Sequence, residues 1–480
     1  MTQNLKLTPA ALSGVVRVPP SKSIAHRAVL CAALARDGES AVHGLAWSDD
    51  IIATIQGARA LGAQLVQDGE VLRVRGAAPA HSLEGDAVLI DCNESGSTLR
   101  FLLPIALALG RPARFIGRGN LGKRPLDAYY KIMREQGIGF EATDGQLDLT
   151  VRGQLRPGRF VLPGNVSSQY ITGLLLALPL LDAPSEIVVE GPLESKGYLD
   201  LTMQVMRAFG VEVSFDGDRV FRVLPGGYRP SEYTVEGDFS QAAFFLAAGA
   251  LAGVRSAILE SGDDAAGALA GVRSAILESG GVRPPNAEQE QPVPGRVRIA
   301  GLRPDSAQGD RAVCDILKAM GATVEWDADG SLWCTARRLH GCVIDAAQYP
   351  DIIPVLSAVA CACEGETRIV NAGRLRMKEC DRLSAVAREL SALGASVEEG
   401  EDFIRIAGWN SHGWPLRGGG EVWSHADHRM AMTLAVAAAV CEQSFALRDY
   451  PCVSKSYPNF FDDYRRLGGV CCEFDLGNQM

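Results

Sequence analysis

The chain alternates between two kinds of helical pattern. One is apolar all round: a short polar cluster opens a run of small and aliphatic residues. Its copies are SKSIAHRAVLCAALA, ESGSTLRFLLPIALALG, SSQYITGLLLALPLL, FSQAAFFLAAGAL, PDIIPVLSAVACA and ADHRMAMTLAVAAAVC. A helix without a polar face has to be enclosed by protein. The other kind is amphipathic and stops at a glycine, after which alternating apolar and polar residues predict a strand, a turn and a second strand. The enclosed runs, anchored on Lys22, Ser95, Ser168, Ser240, Asp351 and Asp427, are spaced by 73, 73, 72, 111 and 76 residues. The terminal glycines Gly62, Gly137, Gly210, Gly321, Gly394 and Gly468 are spaced by 75, 73, 111, 73 and 74. Two unrelated landmarks share one period, which is the signature of a repeat architecture.

Each unit reads as strand, enclosed helix, strand, amphipathic helix and hairpin, with the glycine as a left-handed helix C-cap. Asp68-Gly69, Asp144-Gly145, Asp216-Gly217 and Asp329-Gly330 mark hairpin turns. The sixth unit runs out near Cys472, one strand short, while the N-terminal LKLTPAALSGVVRVP belongs to no unit. That segment is expected to supply the missing strand. The chain then starts in its C-terminal half, crosses near Pro20 and crosses back near Gly237-Asp238. Two domains of three units result: residues 21–237, and residues 1–20 plus 238–480. Both spacings of 111 exceed the period by 38 residues at the same place, where GALAGVRSAILESG occurs twice, at Gly249–Gly262 and Gly267–Gly280. We read about 252–296 as an inserted segment outside the core, its second copy the more open to proteases.

Composition narrows the class. Of 480 residues, 47% are hydrophobic and 22% charged, an ordinary globular balance. The 47 Lys+Arg and 57 Asp+Glu leave a net charge of −10, which excludes nucleic-acid binding by bulk charge but leaves locally cationic sites open. No run of about 18 uninterrupted apolar residues predicts a membrane span, and MTQNLKLTPA lacks the regions of a signal peptide. A cytoplasmic protein is expected. The twelve cysteines form no C-x-x-C pair and mostly sit in apolar runs, as structural thiols do.

Candidate chemistry concentrates at the helix starts. There a helix presents unpaired N–H groups and positive partial charge, so cations are unfavourable by ~0.3–1 kcal/mol. Yet Lys22, Arg27, Arg100, His428 and Arg429 lie in the opening turns of enclosed helices in three of the six units. A shared anionic ligand explains the repetition, with the helix starts converging on a cleft between the domains. The third helix offers neutral donors, Ser167, Ser168 and Gln169. Further cations lie in GRGNLGKRP (Arg118, Lys123, Arg124), in VSKSYPNFF (Lys455) and in RLRMKECDRL. The last carries Arg374, Arg376, Lys378 and Arg382 with Glu379 and Asp381, on a helix expected to begin near Lys378. GRGNLGKR falls one hydroxyl short of a P-loop, and His425 and His428 have metal spacing without a third ligand. Neither nucleotide nor zinc binding is expected.

The segments PPSKSIAHRA, NESGSTLRFL, GRGNLGKRPLD, VSSQYITGLLLALPLL, GDFSQAAFFLAAGAL, DSAQGD, YPDIIP, RLRMKECDRL, ADHRMAM and SKSYPNFF, in this order, resemble the 5-enolpyruvylshikimate-3-phosphate synthases. The resemblance runs from about Leu5 to Gly468, interrupted by the inserted segment. It implies an α/β enolpyruvyl-transferase-like fold, two domains each of three βαβαββ units around buried parallel helices. It also implies transfer of the enolpyruvyl group of phosphoenolpyruvate to the 5-hydroxyl of shikimate 3-phosphate, releasing phosphate without metal or cofactor. The UDP-N-acetylglucosamine enolpyruvyl transferases share the fold but open with a Lys-Asn pair and use a cysteine loop. Here Ser21-Lys22-Ser23 opens the first helix, and Arg118–Arg124 contains no cysteine. A catalytically silent anion-binding homologue is the remaining alternative.

By position the resemblance assigns Ser23, Arg27, Ser167, Ser168, Gln169, Ser195, Asp351 and Lys378 to shikimate 3-phosphate. It assigns Gly96, Arg124, Gln169, Arg382, Arg429 and Lys455 to phosphoenolpyruvate, with Lys22 reaching both. Asp351 is implied as the group at the 5-hydroxyl and Glu379 at C3, with Lys22 beside them in catalysis. Asp351 follows Pro350, so its plain structural role is a helix N-cap. A monomer that closes on its two substrates is expected. Glu94 and Arg374 stand where Asn is common in the family, and Lys196-Gly197 separate Ser195 from Tyr198.

Overall fold

The computed structural model describes residues 3–77, 85–143, 145–261, 295–410 and 413–474. Helices are numbered in chain order, and the two kinds alternate. The enclosed ones are α1 (Lys22–Leu34), α3 (Gly96–Ala108), α5 (Ser168–Ala177), α7 (Phe239–Ser261), α9 (Ile353–Ala360) and α11 (His428–Ala437). Between them come α2 (Asp49–Ala60), α4 (Asp127–Gln136), α6 (Lys196–Ala208), α8 (Val313–Ala319), α10 (Arg382–Ala392) and α12 (Phe460–Arg466). Composition decides which is which. α1 buries every residue from Ile24 to Leu34, whereas α10 buries a stripe that includes Leu383, Val386, Ala387 and Leu390. All six periodic glycines adopt left-handed φ, between 68° and 102°. They end the amphipathic helices as the spacing predicts.

Among the described residues the strands form six four-stranded sheets, one per repeat. In the second repeat Val88–Asp91 runs parallel to Ala113–Ile116, which pairs antiparallel with Asp148–Arg152. Ile90, Phe115 and Leu149 lie opposite one another in that register and all face the core. The sixth sheet is completed from the N-terminus: Asn4–Thr8 lies between Phe445–Arg448 and Val470–Phe474, antiparallel to both. Two further completions are not evident from the repeat. Glu232–Thr234 runs parallel to Ser40–His43 and supplies the first strand of the first repeat. Gly14–Arg17 does the same for Val297–Ala300 in the fourth.

The chain divides into two compact units. One comprises Pro20–Glu236 with Ala307–Gly309; the other comprises Met1–Pro19, Gly237–Ser306 and Asp310–Met480. Each has its own hydrophobic core. The duplicated stretch enters this picture with one correction. Residues 252–261, counted from sequence with the inserted segment, are the end of α7, where Ala252, Gly253, Val254, Arg255 and Ile258 are buried. Arg255 donates to the carbonyls of Ala439 and Cys441 and stacks over Trp414 at 4.5 Å. Residues 252–258 of the first copy therefore pack into the core rather than standing outside it. The second copy, with the protease sensitivity expected of it, and the turn residue Asp144 lie outside the described residues. α7 is also the one described helix long and apolar enough to cross a membrane, but 83% of its apolar window is buried inside the protein.

One close contact sets how α5 lies against α3. A Cβ at Gly173 of α5 would lie 2.1 Å from the carbonyl oxygen of Arg100 on α3 and 2.3 Å from the Tyr129 hydroxyl. Only glycine lets the two helices approach this closely. Gly173→Ala should lower the stability of the protein by about 1–3 kcal/mol, read as a lower midpoint in urea. An unchanged midpoint would show that the helices are not in contact here.

Candidate active site

The residues implied by the sequence divide between the two units. In the N-terminal unit a polar strip joins three enclosed helices at their starts. Ser21 caps α1, and Lys22, its first residue, donates through Nζ to Asp50 Oδ2 at the start of α2, 2.8 Å away. The Asp50 carbonyl accepts from Thr98 Oγ1 at 3.4 Å, and Thr98 lies in the first turn of α3, which Ser95 caps. Behind this line His26 Nδ1, Thr54 Oγ1 and Thr98 Oγ1 form a buried chain with steps of 2.7 Å. Burial, followed by the charges of Lys22 and Arg27, holds the His26 imidazole well below its usual pKa, so it is neutral.

α3 and α5 meet through Gln169. Its Oε1 accepts from Arg100 Nη1 at 2.8 Å and its Nε2 donates to Ser97 Oγ at 3.0 Å. Ser167 caps α5 by accepting from the Gln169 amide, and Ser168 opens the helix. Gly96 is cradled by guanidinium groups: a Cβ there would lie 2.7 Å from Arg124 Nη1 and 3.0 Å from Arg100 Nη1. Arg124 follows a short turn, Leu121–Lys123, where a P-loop would need the helix itself. Arg27 is buried and ties α1 to α6, donating from Nε to Thr202 Oγ1 at 2.7 Å and from Nη2 to the Tyr198 carbonyl at 3.1 Å. Its Nη1 donates to the Ser23 carbonyl at 2.6 Å, and burial lowers its pKa to about 10. Ser195 sits at the start of α6 in a left-handed conformation, φ 55°.

In the C-terminal unit one guanidinium organises the site. Arg382, only 1% exposed, donates from Nε to Asp427 Oδ2 at 2.7 Å, from Nη1 to Asp351 Oδ1 at 2.8 Å and from Nη2 to Glu379 Oε2 at 2.6 Å. Burial opposes its charge, but the three carboxylates more than offset that and hold its pKa well above the usual value. Asp351 also takes Lys378 Nζ at 3.4 Å and Arg429 Nη2 at 3.3 Å, and its carbonyl accepts from Arg429 Nη1. It is thus ringed by three cations. Burial lowers the Lys378 ammonium to about 8 against the opposing pull of Asp351. Lys455 closes a short turn, Tyr450–Lys455, and its Nζ donates to the Ala426 carbonyl at 2.8 Å.

One expectation and one structural alternative need correction. The helix expected near Lys378 begins at Arg382, because Asp381 accepts from the Ser384 amide and caps it there; Lys378 lies in extended backbone. Asp351 is not an N-cap: Ile352 holds that position before α9, without a side-chain bond, which leaves the carboxylate to the cations. His425, from which no zinc site is expected, lies 2.7 Å from Glu389 Oε1.

Four polar residues stand outside the site that the resemblance implies. Asp427 stands out in the sequence only as a repeat landmark, yet it grips Arg382 and caps α11 through the Arg429 amide at 2.8 Å. Asp50, Arg100 and Asp310 are likewise absent from the implied site. Asp50 pairs with Lys22, 28 residues away, so nothing local marks it; Arg100 stands out as a cation in an opening turn, but its partner Gln169 lies 69 residues on. Asp310, at the end of DSAQGD, is visible as a motif residue; it is buried and accepts from Ser240 Oγ.

Known proteins share this chain's sequence and fold over nearly its whole length. The family model described as EPSP synthase (3-phosphoshikimate 1-carboxyvinyltransferase) matches residues 7–278 and 293–464. The chain is 46% identical over 480 residues to a 3-phosphoshikimate 1-carboxyvinyltransferase of Clostridium beijerinckii, covering 99% of each chain. It is 45% identical over 483 residues to the protein of that name from Clostridioides difficile, again covering 99% of each. Among solved structures it resembles an EPSP synthase from Acinetobacter baumannii, with a TM-score of 0.73, 25% identity and coverage of 98% of this chain and 100% of that one.

Asp310 supplies a test of the electrostatics. Its carboxyl is raised from 3.8 to about 6, by burial first and then by Asp351, with Arg429 opposing. A pKa raised in the folded state contributes stability that is complete below 3.8 and lost as pH rises through about 6. The melting temperature of Asp310→Asn should therefore gain on wild type as pH is raised from about 5 to about 7.5. A difference that does not change with pH would contradict the assignment.

Proposed function

The chain belongs to the EPSP synthase family, and from that premise we propose that it transfers the enolpyruvyl group of phosphoenolpyruvate to the 5-hydroxyl of shikimate 3-phosphate. The observation that carries the reading is Asp351, a carboxylate beside Lys378, Arg382 and Arg429, with Glu379 on the same guanidinium. Cations packed this closely at one place suit multiply anionic substrates, and the carboxylates among them are placed for proton transfer.

Asp351 takes the proton of the 5-hydroxyl as its oxygen bonds to C2 of phosphoenolpyruvate, and Glu379 gives a proton to C3. Glu379 then recovers a proton from the resulting methyl group as the C2–O bond to phosphate breaks. Lys22 neutralises charge on both substrates and shares in proton transfer. Lys378, Ser23, Arg27, Ser167, Ser168, Gln169 and Ser195 hold shikimate 3-phosphate. Arg27 works chiefly by fixing the backbone at Ser23 and Tyr198, since most of its donors are engaged within the protein. Arg124, Arg382, Arg429, Lys455 and Gln169 hold phosphoenolpyruvate, and Gly96 leaves its backbone open to a phosphate. A planar arginine fork matches two oxygens of a carboxylate or phosphate; that of Arg382 is already shared by Asp351, Glu379 and Asp427, and it works by holding them in place. We place the protein in the cytoplasm as a monomer. Its cysteines are all free thiols, and eight are buried.

The decisive assay is release of phosphate from phosphoenolpyruvate, with and without shikimate 3-phosphate. Release only with both supports the transfer, and binding without release would mark a silent homologue. Asp351→Asn should lower turnover by ~10²-fold or more with shikimate 3-phosphate still bound; near-normal turnover would remove Asp351 from the chemistry. The pKa of Lys378 gives a second outcome. Its ammonium loses charge as pH rises through about 8, so the KM for shikimate 3-phosphate should climb between about pH 7 and 9. Lys378→Met should raise that KM and flatten the climb, whereas a flat wild-type profile would contradict the role.

A further inference from the structure

The segment Trp423–Asp427 carries two features that the proposed reaction does not by itself require. His425 and Ala426 are consecutive non-glycine residues in left-handed conformation, with φ of 54° and 53°. Such backbone is strained and persists only where its surroundings over-determine it. Here they do. His425 Nε2 lies 2.7 Å from Glu389 Oε1, while Glu389 Oε2 accepts from the Trp423 amide at 2.9 Å. The imidazole stacks on the Trp423 indole with ring centroids 4.3 Å apart. Ser424 Oγ accepts from the Ala426 amide and donates to the Asp449 carbonyl. Glu389 is only 5% exposed, so its carboxylate is committed to this contact.

What the strained turn presents is the second feature. The Ala426 carbonyl receives Lys455 Nζ, and Asp427, the next residue, caps α11 through the Arg429 amide and grips Arg382. α10 therefore holds the segment twice: at its first residue, through Arg382 and Asp427, and two turns later, through Glu389 and His425. We propose that Glu389 and His425 are a positioning pair that fixes this turn and thereby aims Lys455 and Arg429, two of the cations assigned above to phosphoenolpyruvate. The pair touches no substrate. It rests on the enolpyruvyl-transfer reading, and it adds residues that neither the sequence motifs nor that reading includes.

The pair makes an asymmetric prediction, because Lys455 is bonded to this turn directly, whereas Asp351, on the shikimate 3-phosphate side, meets it through Arg382 and Arg429. Steady-state kinetics of the intact protein read it. His425→Ala should raise the KM for phosphoenolpyruvate about tenfold, with kcat within about threefold and the KM for shikimate 3-phosphate within about twofold of wild type. His425→Gln keeps a nitrogen donor that reaches Glu389 and should recover most of the loss; His425→Asn, one methylene shorter, should not. If the alanine variant does not fold, as judged by its thermal melt, the glutamine and asparagine variants carry the comparison. A merely structural role would lower the melting temperature without separating the two KM values. An unchanged KM for phosphoenolpyruvate, or a glutamine variant no better than asparagine, overturns the pair alone. Wild-type protein that releases no phosphate from the two substrates overturns the underlying reading and the pair with it.

Discussion

A fully buried guanidinium shared by three carboxylates is the constraint on which the C-terminal unit depends. Arg382 reaches Asp427, Asp351 and Glu379 within 2.8 Å, and these come from the start of α11, the approach to α9 and the approach to α10. Burying such a charge is costly unless it is paired and hydrogen-bonded, and even then a pair of this kind seldom adds net stability over a well-packed apolar cluster. Its value lies in geometry. Three helix starts are fixed to one planar fork, so Lys378, Arg429 and the carboxylates keep their places before any substrate arrives. Pre-set charges of this kind do not have to reorganise as the reaction proceeds.

The N-terminal unit solves the same problem with weaker means. Asp50 takes the Lys22 ammonium, and Gln169 takes the Arg100 guanidinium. The close packing of α3 on α5 at Gly173, one helical turn beyond Gln169, is what brings the amide and the guanidinium together. Packing and chemistry are thus linked through the spacing of four residues that puts two side chains on one helix face. The cations at these helix starts work against the helix dipole, and each is held there by a carboxylate, an amide or a backbone carbonyl.

Much of this is legible in the chain. A helix that must be enclosed cannot carry a polar face, and a helix that must turn into a strand needs a left-handed residue; six repeats of those two demands give the period directly. The strand from the N-terminus is visible because the sixth repeat lacks one. The strands Glu232–Thr234 and Gly14–Arg17 are not, because three or four residues beside a crossing point carry too little alternation to stand out. At the site, cations next to apolar runs are conspicuous since they offend the helix dipole. Their partners are not: Arg382 and Asp427 are 45 residues apart, and only the folded chain decides which carboxylate meets which cation. The start of the helix at Arg382 is hidden because RLRMKECDRL reads as one charged helix until Asp381 caps it.

On the proposed reading, the geometry of the Arg382 fork, more than its charge, sets the groups that receive phosphoenolpyruvate. Replacing Arg382 with lysine keeps the charge and removes the fork. Calorimetric titration of phosphoenolpyruvate into the Arg382→Lys protein, saturated with shikimate 3-phosphate, tests this most directly. The expected affinity is lower by at least about tenfold, in a protein that still melts cooperatively. An affinity within about twofold of wild type would contradict the role of the fork.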